Sequence, residues 1–387
     1  MKNYDVIVVG LGIMGTSTLF HLARSGANVL GIEQFGPTHQ FGSSQGETRI
    51  FRRAYWEGRE YLPLLNRSHD LWTELQALSD ESLLIPTGAV FIGPKSTGVV
   101  KGSRKTAQEG QITYEVLSAK KIRARFPGFS INEKMEAIYE PGAYVILANK
   151  VQTHMMNHAI EKGASANFGR SVREISRYTQ SMLLVKTDNG DQFLTRAIVL
   201  TTGPWTTNNF LPELNSFRFS HSVPVYWFDV RVGHEEEFSK DKFPAFLYNH
   251  ADGALLYGIP AGISSERGIK IGFHNRQHLL CEPGNRKKSI LECYSTEMSS
   301  YVEEIFPGLN PLPISSRSCF YTMSKDQSFL IGTSREHSNV FYASACSGHG
   351  FKFGSAIGEV LALLAQGKSP PIDISNFNLS RFKLVGS

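Results

Sequence analysis

At 387 residues the chain is longer than one ordinary hydrophobic core organises, so two domains, or one domain with a large insert, are expected. An apolar fraction of 41% against 19% charged excludes a disordered chain. The net charge of +5 is scattered, and its densest cluster, Arg286-Lys287-Lys288, reads as a solvated loop and not a nucleic-acid surface; a mildly basic protein still draws small anions inward.

Residues 5–9 (DVIVV) are a β-branched run of the kind that forms a strand buried on both faces. GLGIMG follows at 10–15, then Leu19, Leu22 and Ala23 recur at helical spacing until Gly26 stops the helix. A second strand at 28–32 (NVLGI) ends at Glu33, which completes a βαβ unit. Helical patterns return at 60–78 and 151–162, and strand 197–202 (AIVLTT) runs into Gly203-Pro204-Trp205. Between these lie β-like stretches at 88–93, 223–232, 253–259 and 268–273, rich in aromatic and β-branched residues and bounded by Gly and Pro. The C-terminal part offers strand 340–345 (VFYASA), then SGHG, then a helix from about 351 to 366. Nucleotide-type elements therefore sit at the start, near 150–205 and at the end. That order predicts two domains between which the chain crosses back and forth.

A glycine-rich turn gains weight here from its context: it leaves a strand, enters a helix, and has the acid Glu33 23 residues after Gly10. Gly10 makes the tight turn, Gly12 admits a pyrophosphate to the backbone, and Gly15 lets helix and strand approach closely. The helix start, with Ile13 and Met14 in its first turn, offers unpaired N–H groups and partial positive charge to phosphates. Glu33 is suited to ribose hydroxyls and repels a 2′-phosphate, which disfavours NADP. FAD and NAD remain undecided by this unit alone.

Cys281, Cys293, Cys319 and Cys346 form no C-x-x-C pair, and the nearby histidines lack zinc-finger spacing, which argues against a metal site. Their wide spacing suits a reducing cytoplasm. Val6 to Val9 is too short, and too closely preceded by Asp5, for a signal peptide; no stretch reaches the ~20 apolar residues of a membrane helix. The tail Leu384-Val385-Gly386-Ser387 carries no legible organelle address.

Two further segments carry a family resemblance. GSSQGETRIFRRAYWEGR at 42–59 contains G-x-x-x-G-x-T-R-x-x-R, and SGHGFKF at 347–353 enters the last helix. With GLGIMG and CFYT at 319–322, in this order and spacing over essentially the whole chain, they resemble the monomeric sarcosine oxidase and N-methyltryptophan oxidase family of FAD amine oxidases. The resemblance implies an α/β, Rossmann-like FAD-binding domain of the glutathione-reductase type (1–83, 147–217 and 320–387) and an α+β, antiparallel-sheet substrate domain (84–146 and 218–319). It implies oxidation of the C–N bond of a secondary amino acid to an imine, with O2 reduced to hydrogen peroxide, in a cytoplasmic monomer with no nucleic-acid or membrane partner. The alternatives are a fructosyl (Amadori) amino acid oxidase, or another N-alkyl or cyclic amino acid oxidase or dehydrogenase of the same superfamily.

Carried over by position, Cys319 corresponds to the cysteine joined through sulfur to the flavin, whereas composition alone makes it an ordinary buried thiol. Arg52 and Lys352 match the cations that grip the substrate carboxylate. Lys270, in KIGFH, matches the lysine that activates oxygen, and period two places His274, a pocket histidine, on the same face. Tyr257 matches a pocket tyrosine, His349 a residue close to the flavin, and Arg49 an arginine near its ring that aids attachment. Further cofactor contacts are implied at Ser43, Val172, Gly203 and Trp205, and Gly348 and Gly350 would let the backbone approach the flavin. Two departures stand out. Ser44-Gln45 replaces the paired histidines frequent beside the attachment site. Val225-Tyr226-Trp227 follows Pro224 where relatives place a basic or amide side chain, pointing to a larger or more aromatic pocket.

Overall fold

In the computed structural model, residues 1–206, 210–276, 279–281, 292, 294–344 and 347–382 are described. Arg286-Lys287-Lys288, Cys293, Cys346, the tail from 384 and Ala345, the last residue of the expected strand 340–345, lie outside them. The apolar run at the start forms the strand Lys2–Val9, whose neighbours Val29–Glu33 and Gln192–Leu200 are both parallel to it. Ser165–Phe168 and Val340–Ser344 extend this parallel core on either side. Antiparallel strands Val172–Arg177, Leu183–Thr187 and Leu330–Thr333 complete an eight-stranded sheet. Helices Ile13–Arg24, Ala148–Glu161 and Gly354–Ala365 cover one face of it, burying Leu19, Leu22, Val151, Ile357 and Leu361 in one apolar cluster. The first and last helices meet closely: a Cβ on Gly358 would lie 2.2 Å from Ser17 Oγ. Leu211, Leu214 and Leu379 pack against Ile7, Leu30 and Ile198 on the other face, so the parallel strands are covered on both sides and read as unbroken apolar runs.

The β-like stretches gather in a second, nine-stranded sheet. Its long strands Arg218–Val230 and Leu309–Ser324 pair antiparallel along most of their length, and Ile269–Phe273, Leu255–Ile259 and Ala245–Asn249 follow in antiparallel order. The expected antiparallel sheet has one exception: Ala245–Asn249 lies parallel to Ala89–Pro94. The chain between those two strands passes through the other sheet, so no hairpin forces them to run in opposite senses. Leu309–Ser324 is one continuous strand across residues 319 and 320. Three helices went unread: Gly98–Glu109, Ala119–Arg125 and Ser295–Ile305. A small third sheet of Thr48–Phe51, Tyr144–Leu147 and Leu84–Pro86 carries Arg49. No helix among the described residues is long and apolar enough to cross a membrane.

Candidate active site

The parallel strands end together at Val9, Glu33, Leu200 and Ser344, and the cleft opens at that carboxyl edge, where open α/β sheets bind ligands. Gly10 turns with φ +88°, and a Cβ there would lie 2.7 Å from the Thr201 carbonyl oxygen. A Cβ on Gly15 would lie 1.8 Å from Gly10 O, a separation no side chain tolerates. Gly12 caps the helix with no side chain of its own and Ser44 takes only the Ile13 N–H, so the rest of the first turn stays open to an anion. Glu33 is buried: Oε2 accepts from Leu11 N at 2.7 Å and Oε1 from Phe35 N at 3.0 Å. The acid therefore ties the turn to the second strand and keeps lone pairs for ribose hydroxyls.

From this cradle the cleft runs past residues 42–49 to one face of the nine-stranded sheet. Strand alternation builds that wall. Arg317, Cys319 and Tyr321 line it from one strand, Val225 and Trp227 from the next, then Lys270, with His274 just past its strand, then Tyr257 and Ile259. Lys270 lies in register with Trp227 and Ile259, and Gly272 with Tyr257. Glycine is needed at 272 because a Cβ would lie 2.7 Å from the Tyr257 hydroxyl. That hydroxyl shares a hydrogen bond with Tyr321, and burial pushes both phenols up.

Two groups of charge meet in the cleft. Lys270 Nζ donates to Thr48 O at 3.3 Å. Burial, then Arg49, lowers its ammonium to about 7; Arg317 acts in the same sense, while Cys319 and Glu47 oppose. Arg49 is anchored by donating to the carbonyls of Thr48, Ser43 and Gln45. The second group surrounds Lys352, whose Nζ donates to His349 O at 2.8 Å and whose carbonyl accepts from Trp72 Nε1 at 2.7 Å. Burial, then Arg52, lowers Lys352 to about 7, with Glu57 opposing. Arg52 Nη2 donates to Glu57 Oε1 at 2.5 Å, and Glu57 Oε2 is buried without a partner. Burial pushes the Glu57 carboxyl up, but Arg52, His349 and Lys352 outweigh it and hold it low. Burial lowers His274 to about 4 and His349 to about 3, so both rings are neutral near pH 7.

All the residues expected to contact cofactor or substrate line this single cleft, apart from Gly15, which lies beneath the turn. Two local details are added by the fold. Gly348 sits at φ +78° with a Cβ position 2.4 Å from the Tyr321 ring, so that ring by itself already demands glycine; Gly350, at φ −79°, has a conformation open to any residue. Ser44 accepts from Ile13 N at 2.9 Å, linking the 42–49 segment to the helix start. Glu57 was missed, although an acid five residues after Arg52 in the same motif was visible. Tyr55 was missed too, because only folding brings it under both cations.

A glycine cradle at the carboxyl edge of a parallel sheet, joined by one cleft to a charged wall on a second sheet, defines a dinucleotide-dependent oxidoreductase. The FAD dependent oxidoreductase (DAO) family profile matches residues 5–364, and the chain belongs to that family. N-methyl-L-tryptophan oxidase of Yersinia pestis is 33% identical over 382 residues, covering 98% of this chain and 100% of that protein. Among solved structures, NikD, described as an unusual amino acid oxidase essential for nikkomycin biosynthesis, superposes with a TM-score of 0.84 at 21% identity, over 98% of both chains. Glycine oxidase from Geobacillus kaustophilus superposes with a TM-score of 0.80 at 17% identity, over 99% of this chain and 100% of that one. The open helix start, the Gly10 and Gly15 clearances and the buried Glu33 fit the ADP half of FAD.

Proposed function

We propose that the chain is an oxidase of N-methyl or other secondary amino acids that converts the C–N bond to an imine and returns the electrons to O2 as hydrogen peroxide. The observation that carries this reading is the pair of buried cations, Arg52 and Lys352, beside neutral His274. The name of the Yersinia relative supports the N-methyl amino acid class. Arg52 presents a planar fork and Lys352 a point charge, a combination that takes up one carboxylate with charge-assisted bonds. Both cations also disfavour a protonated amine at the same place, so the pocket selects the neutral amine, the form that can be oxidised. His274, neutral because it is buried, offers a ring nitrogen to that amine without adding a repelling charge. Lys270 holds a proton whose charge favours negative charge developing on oxygen.

When bound, FAD supplies the two-electron redox chemistry, and the protein supplies orientation and charge. Gly10, Gly12, Glu33, Ser43 and Arg49 would hold it in the cleft, within a nucleotide domain of 1–83, 147–217 and 320–387. Cys319 is our candidate for covalent attachment, since it faces the cleft opposite Val223 and is a free thiol. After acid denaturation, flavin should stay with the wild-type chain and separate from the Cys319→Ser variant on a sizing column. Release from both refutes the attachment.

The substrate reading is tested by peroxide release across sarcosine, N-methyltryptophan, N-methylalanine, pipecolate, proline and fructosyl-glycine. An N-methyl amino acid should give the highest kcat/KM, with one peroxide per substrate. Preference for fructosyl-glycine, or turnover without peroxide, overturns it.

A further inference from the structure

The geometry points to Tyr55 as a positioning residue that holds both cations of the carboxylate site on one aromatic ring; this rests on the reading of Arg52 and Lys352 given above. Tyr55 is fully buried. The Arg52 guanidinium carbon lies 4.4 Å from its ring centroid and Lys352 Nζ lies 5.0 Å from it. Two like charges held together away from water repel each other, and a desolvated aromatic face is one of the few uncharged groups that attracts both. A second carboxylate in that place would neutralise the pair and compete with substrate, whereas a ring leaves the positive field intact.

The hydroxyl makes a further contact, 2.6 Å from His349 Nδ1. His349 Nε2 faces the Gln327 carbonyl at 3.3 Å, so that nitrogen carries the proton and Nδ1 accepts from Tyr55. The carbonyl of the same histidine takes the Lys352 ammonium. Tyr55 is itself pinned from outside the cleft. Thr106 Oγ1 donates to its carbonyl at 2.8 Å, and the buried Glu140 carboxylate accepts from Arg53 N at 3.0 Å and Ala54 N at 2.9 Å. The titratable and charged groups facing Lys352 are Arg52, Glu57, His349 and His274. With those unchanged, weakening the ring must lower the pH above which Lys352 loses its proton and carboxylate affinity falls.

The test is a titration of the holoenzyme with acetate across pH, followed by the flavin absorbance, with acetamide as the uncharged control. The series is Tyr55→Phe, then phenylalanine carrying one and three ring fluorines, which keeps the shape and drains the negative face. Tyr55→Phe should bind acetate within about 3-fold of wild type, and the fluorine series should weaken it stepwise to about 10-fold. The pH at which acetate affinity is lost should fall along the series while acetamide binding stays constant. A series flat in both acetate affinity and pH midpoint overturns the inference. Arg52→Met and Lys352→Met separate the two failures. If they lose acetate while the fluorine series stays flat, the carboxylate site stands and Tyr55 has no part in it. If they bind acetate as wild type does, the carboxylate site falls and the role of Tyr55 with it.

Discussion

Lys270→Met should slow the reaction of the reduced holoenzyme with O2 by at least about 100-fold, while anaerobic reduction by substrate changes by less than about 3-fold; the first figure is the scale for removing one charge-stabilising group from an active site. The asymmetry follows from where the charges stand. Lys270 is coupled to Arg49, Cys319, Arg317 and Glu47, whereas the groups that would hold substrate, Arg52, Lys352 and His274, are coupled to Glu57. The pH dependence has a definite sign. Burial and Arg49 lower Lys270 to about 7, so its positive charge is present below that pH and lost as pH rises through it. The oxygen reaction of the wild type should therefore slow on going from pH 6 to 9, and that of the methionine variant should be flat. Stopped-flow measurement of the two half-reactions decides it, and equal losses in both would refute the assignment.

Arg52→Met should raise KM for carboxylate substrates by about 100- to 1000-fold, as expected for losing two charge-assisted bonds. It should also destabilise the fold, because breaking a buried ion pair leaves an uncompensated charge at a cost of about 3–5 kcal/mol. Here that charge is Glu57, one of whose oxygens already lacks a partner. The double variant Arg52→Met/Glu57→Gln separates the two effects: thermal stability should recover toward wild type while KM stays high. Recovery of both would mean that Arg52 serves only to neutralise Glu57. The arrangement also shows why Arg52 is a demanding residue to place. On the proposed reading its guanidinium would leave or share Glu57 when a substrate carboxylate arrives, with the Tyr55 ring 4.4 Å away to orient it meanwhile.

The nucleotide half was legible because its signals are local. A strand buried on both faces, a turn needing φ > 0 and a helix start capped by glycine follow one another within residues 2–33, and each leaves its mark on residue type. The sheet wall was legible as β-rich stretches, and period two put Lys270 and His274 toward the same cleft. The helix Gly98–Glu109 was not legible, since it opens on glycine and has few apolar residues. It matters nevertheless, because Thr106 on it holds the Tyr55 carbonyl. The parallel pairing of Ala245–Asn249 with Ala89–Pro94 was hidden for another reason: strands about 150 residues apart leave no local trace of which way they run.

By itself, then, the sequence determined the glycine turn and the acid Glu33 that follow the first strand, the presence of a second β-rich part, and the motifs at 42–59, 319–322 and 347–353 whose residues line one cleft. Tertiary structure alone decided which of those residues share a charge environment. Arg52 and Lys352 are 300 positions apart and come to rest on one tyrosine ring, and Glu57 pairs with the same guanidinium. It also showed that Gly348 is crowded by Tyr321. The physical reason is range. Turns, caps and strand faces are fixed by neighbours within a few residues, whereas burial, ion pairing and pKa shifts depend on groups that meet only when both sheets close around the cleft.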